Sequence, residues 1–90
     1  MNHEPDPKVI REAILEVVDN QLRDNTPPET RKTLNRLMKE GWSKSDARML
    51  IAQCVSVEIF NVMKYNQPFD EARYKANLAK LPEEPFSDEG

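Results

Sequence analysis

The stretch from Ser43 to Asn66 reads as one helix that is apolar almost all the way round, and this limits the fold more than any other feature. A helix on the surface of a small soluble domain shows one apolar stripe and one polar face. Here the front carries Ala47, Leu50, Ile51, Cys54, Val55, Val57 and Val62, and the back carries Met49, Ala52, Ile59, Phe60 and Met63. Both sides need cover. A chain of 90 residues has little material to supply it, and a single core of about 80 residues or fewer contributes only a few kcal/mol. Self-association is one standard remedy.

The rest of the chain supplies short helices around this rod. Two glycines and seven prolines, the prolines mostly at helix edges, punctuate an all-helical chain. No run alternates as a strand does, and no Asn-Gly or Asp-Gly hairpin turn occurs. The first helix spans Pro7 to Arg23, with Asp6 as its cap and Pro7 at the first helical position, where a missing N–H is harmless. Its stripe is Ile10, Ile14, Val17 and Val18, widened by Val9, Leu15 and Leu22.

The second helix spans Pro27 to Glu40. Thr26 and Glu29 have the spacing of a capping box, and Leu34, Leu37 and Met38 face inward. Gly41 ends it, because glycine accepts a left-handed backbone without strain. Ser43 caps the third helix, and Trp42 is expected to pack over the junction. Asn66-Gln67-Pro68 stops the rod. Asp70 then caps a fourth helix from Glu71 to Leu81, with Phe69 and Tyr74 spaced as a hydrophobic staple. The expected fold is all-α, a compact bundle of four helices with a long central third helix. Residues 7–82 form the single domain, 1–6 a flexible start and 83–90 an acidic, frayed tail.

The residue inventory argues against most chemistry. Cys54 is the only cysteine and His3 the only histidine. They make neither a disulfide nor a Cys/His zinc site within one chain. No phosphate-binding glycine loop and no nucleophile–base set is present, so no catalytic residue, metal site or cofactor is expected. The polar, acidic stretch Met1–Asp6 is unlike a secretion signal. Arg48, Gln53, Glu58, Asn61 and Lys64 interrupt the apolar rod and argue against a membrane span. A cytoplasmic setting is expected.

Three groups of residues remain. Glu58 falls among aliphatic residues on the front of the third helix, and Gln21 lies in line with the stripe of the first. A buried carboxylate needs partners. Asn20, Gln21 and Glu58 are therefore expected in a buried polar network, with an arginine or a helix-start N–H completing it. The back face, Met49, Ala52, Ser56, Ile59, Phe60 and Met63, is the candidate interface. Methionine adapts to irregular partners, and a two-fold homodimer is the commonest assembly. Lys32, Arg36, Lys39, Lys44 and Arg48 form a candidate basic patch for phosphates. A net charge of −3 makes nucleic acid the second choice of partner.

The runs Val18-Asp19-Asn20-Gln21-Leu22, Pro27-Pro28-Glu29, Leu37-x-x-Glu40-Gly41, Glu58-Ile59-Phe60, Pro68-Phe69-Asp70-Glu71-x-x-Tyr74 and Leu81-Pro82 resemble a bacterial family of small helical proteins of unknown function. The resemblance covers most of Ile10 to Pro82. It implies a helical fold and a shared pattern that includes Asn20, Gln21 and Glu58, but no activity. Some members of that family carry histidines where this chain has Arg11 and Leu15, so no metal reading transfers.

Overall fold

A computed structural model describes residues 6–85 of the chain. Four helices run in order: α1 (Pro7–Asp24), α2 (Pro28–Lys39), α3 (Lys44–Tyr65) and α4 (Glu71–Lys80). The expected tail at Phe86 and beyond, and His3, lie outside the described residues.

Local chemistry sets most helix ends. The Asp6 carboxylate accepts from the Lys8 N–H, Ser43 Oγ from the Asp46 N–H, and the Asp70 carboxylate from the Arg73 N–H. Each satisfies a donor that the first turn leaves open. At the end of α2, Gly41 adopts φ +107°. The Trp42 N–H then reaches the Leu37 carbonyl and the Gly41 N–H the Met38 carbonyl, closing the last turn. Phe69 meets Tyr74 edge-on with ring centroids 5.4 Å apart, so the staple before α4 is formed.

The capping box expected at Thr26 and Glu29 does not form. Asn25 turns left-handed at the end of α1, and α2 begins at Pro28 with Pro27 as its cap. Thr26 now sits two residues before the helix, and its hydroxyl donates to the Asp24 carbonyl instead.

Helix α3 is the spine. Its 22 residues span about 33 Å at 1.5 Å per residue, and α1, α2 and α4 all pack on it. Ala47, Ile51, Cys54 and Val55 are wholly buried there, against Val18, Leu37, Tyr74 and Leu78. Helix α2 also touches every other helix, whereas the backbones of α1 and α4 stay apart. Two arginines of α2 tie down its neighbours' ends. Arg31 donates to the Leu22 carbonyl at the end of α1, and Arg36 donates to the Leu78 and Leu81 carbonyls at the end of α4, both at 3.0 Å.

Three apolar residues expected inside stay outside. Val9 and Ile10 are exposed because α1 packs on the core only from Ile14 onward, and Val18 and Leu22 are its fully buried residues. Met38 lies past the edge of the contact between α2 and α3 and is exposed. Trp42 covers part of the junction but keeps 37% of its surface in solvent.

Candidate functional site

Among the described residues, one polar cluster centres on Glu58 and another on Gln21. In the first, Glu58 is fully buried on α3 and faces the start of α4. Its Oε2 accepts from Arg73 Nε at 2.7 Å, and its Oε1 accepts from Arg73 Nη2 at 3.0 Å and from the Asp70 N–H at 2.9 Å. The planar guanidinium matches both carboxylate oxygens at once. In the second cluster, Gln21 Oε1 accepts from the Thr30 hydroxyl at 2.8 Å and from the Tyr74 hydroxyl at 2.6 Å. Those two hydroxyls are 3.2 Å apart. One amide oxygen thus joins α1, α2 and α4.

The single network expected from Asn20, Gln21 and Glu58 is therefore two. Glu58 looks toward α4 and Gln21 toward the α2–α4 seam, while Asn20 is half-buried and joins neither among the described residues. Arg73, Thr30 and Tyr74 are the partners that the sequence did not single out. Tyr74 was visible only as the staple residue, and Arg73 only as a residue three past a cap.

Glu58, Arg73, Thr30 and Tyr74 are buried, and Gln21 is half-buried. Burial pushes the Tyr74 phenol up to about 12 against the opposing pull of its bonds to Thr30 and Gln21. Burial likewise pushes the Cys54 thiol up to about 12, with the nearby Glu58 charge adding to the effect. A thiol in such surroundings is inert. No group of three or more His, Cys, Asp or Glu side chains gathers among the described residues.

The five basic residues divide between two hollows. Lys32, Arg36 and Lys39 line a shallow hollow on α2 with Asn35 and Met38. Lys44 and Arg48 line a separate one with Asp19 and Leu22. Arg36 is committed to Glu40 and to the end of α4. Arg48 grips Asp19 through two bonds of 2.7 and 2.8 Å, which hold the Asp19 carboxyl below its usual range. Two of the five cations therefore serve internal contacts.

The back of α3 is different. Ala52 is buried beside α1, Ser56 is half-buried at the same seam, and Ile59 is half-buried against the core. Met49, Phe60 and Met63 are exposed by 39%, 49% and 75%. The 10 residues of α4 span only about 15 Å, and they pack on the side of α3 that bears Glu58. Pro82 and Pro85 run along a third side, beside Leu50 and Val57. That segment shares its hollow with Gln53 and Ser56 as well, and among the described residues Met49, Phe60 and Met63 stay exposed beyond it. Between α1 and α3 lies an open groove of about 300 Å³, walled by Ile10, Ile14, Met49, Ala52 and Ser56, with Pro7, Arg11 and Gln53 at its edges. The exposed Ile10 is one wall of this groove, so α1 widens the face that the sequence assigned to α3 alone. Its signal in the sequence was a stripe on α1 longer than its neighbours could cover.

Comparison with protein-family models, with curated proteins and with solved structures finds no match. No described helix is long and apolar enough to cross a membrane.

Proposed function

We propose that this chain is a non-enzymatic helical interaction module that self-associates through the α1–α3 face. One observation carries the reading: Met49, Phe60 and Met63 stand exposed along one side of α3, beside a groove whose wall includes the exposed Ile10. Scattered apolar residues are normal on any surface. A contiguous run of them marks an interaction site. The buried clusters around Glu58 and Gln21 are read as the framework that holds this face rigid, because such groups specify one arrangement of helices when every partner is present. The reading includes a cytoplasmic setting, in keeping with a lone buried thiol.

Sedimentation or light scattering over a wide concentration range tests this. The expected mass rises from one copy toward two, and Phe60→Ala with Met63→Ser holds it at one copy without lowering the melting temperature. A parent chain that stays monomeric up to roughly 1 mM, the weak end of specific association, overturns the reading.

A further inference from the structure

The exposed side of α3 is nearly symmetric about Ser56 in position and opposite in bulk. Met49 and Met63 lie seven residues to either side. Toward the N-terminus stand the smaller Ala52 and Gln53, beside the groove; toward the C-terminus stand Ile59 and Phe60. One half offers a hollow and the other a ring.

Resting on the self-association reading, we propose that the occupant of the α1–α3 groove is Phe60 of a second copy, with the two α3 helices antiparallel about a two-fold axis near Ser56. Reversing α3 about Ser56 brings residues 49 and 63 to one level, and residues 52 and 60 to another. Each copy then sets its Phe60 at the level of the other's hollow, twice per dimer. The groove of about 300 Å³ is ample, since a cavity of about 150 Å³ holds a benzene ring. A parallel pair would set Phe60 on Phe60 and leave both hollows empty.

Charge points the same way. Asp46 and Lys64 are 18 residues apart, five helical turns, and so share one edge of α3. Both are exposed, and Lys64 lies 5.2 Å over the Phe60 ring. An antiparallel pair brings Asp46 of each copy within about two residues' rise, roughly 3 Å, of the level of Lys64 on the other. A parallel pair would oppose like charges at both ends. The face from Met49 to Met63 is about 21 Å long. Two helices side by side are about 20 Å wide. The pair of faces therefore covers on the order of 800–1,000 Å², below the standard size and in the range of weak, transient interfaces, so the dimer is expected in the micromolar range or weaker.

Cross-linking of the full chain decides the geometry. Met49→Cys and Met63→Cys are made separately, and the wild-type chain with its buried Cys54 is the control. Under mild oxidation the equimolar mixture of the two variants gives a disulfide-linked dimer, at least fivefold more than either variant alone. Phe60→Ala lowers the dimer association constant at least tenfold. Asp46→Lys also weakens it, and Asp46→Lys with Lys64→Asp restores it. Met49→Cys linking to itself as readily as to Met63→Cys overturns the antiparallel arrangement. So does a dimer, established by scattering, that gives no cross-link from the mixture or is indifferent to Phe60→Ala. In those cases self-association stands and only this geometry falls. Absence of any dimer at all removes both.

Discussion

Replacing Glu58 with glutamine is the most informative single change to the bundle. The substitution keeps the shape and leaves an amide oxygen for the Asp70 N–H. It removes the charge that faces Arg73, whose side chain is only 8% exposed, and sets an N–H group against a guanidinium donor. Breaking a buried ion pair by removing one partner costs about 3–5 kcal/mol, because the remaining charge stays out of water. A 90-residue chain has in total roughly 5–13 kcal/mol of stability, at about 0.05–0.15 kcal/mol per residue. Glu58→Gln should therefore remove a large share of it. At about 4–8 °C per kcal/mol for a domain of this size, the melting temperature falls by about 12 °C or more. Thermal and urea melts followed by circular dichroism at pH 7 measure this. The double change Glu58→Met with Arg73→Leu should be less destabilised than either single change by roughly 2 kcal/mol, because no lone charge is left behind. A Glu58→Gln chain within about 0.5 kcal/mol of the parent, or single effects that simply add in the double variant, would show that the pair is not a buried, coupled unit.

Two further outcomes are expected of the framework. Tyr74→Phe should lower stability by about 1–2 kcal/mol in urea melts, because it removes one of two hydroxyls on Gln21 Oε1 while the Thr30 bond persists. Stability should also fall on the alkaline side: the unfolded chain loses the Cys54 proton from its ordinary 9.0 and the Tyr74 proton from 10.0, while the folded chain holds both to about 12. Above pH 9 the unfolded state binds fewer protons, so each group lowers stability by about 1.4 kcal/mol per pH unit until its folded value is reached. Cys54→Ala should delay the onset to near pH 10 in urea midpoints taken between pH 8 and 11; an unchanged onset would refute the assignment.

What could be read beforehand was local. The caps at Asp6, Ser43 and Asp70, the glycine at 41 and the staple from Phe69 to Tyr74 involve residues a few positions apart, so their spacing alone reveals them. The Thr26–Glu29 box had the right spacing too, but whether a box closes depends on where the helix begins, and the left-handed Asn25 shifts that start by one residue. The burial of Glu58 was legible from its neighbours on the helical wheel, and the class of its partners followed from the cost of burying a lone charge. Which arginine answers it was not, since Arg73 is 15 residues on and on another helix. The Gln21–Tyr74 bond spans 53 positions and left no periodic trace. Periodicity gave the direction in which Ile10 on α1 and Met38 on α2 point, but it does not say where a neighbouring helix runs out.

Helix α4 is fastened at three points that tolerate no sliding. Arg73 clips its first turn to Glu58, Tyr74 reaches Gln21, and Arg36 clamps its far end at Leu78 and Leu81. Greasy contacts forgive a shift of one position; these pins do not, since one added residue inside the helix would turn everything beyond it by about 100°. The short hinge from Asn66 to Phe69 is where the molecule can absorb extra length, and a change there would leave every pin seated.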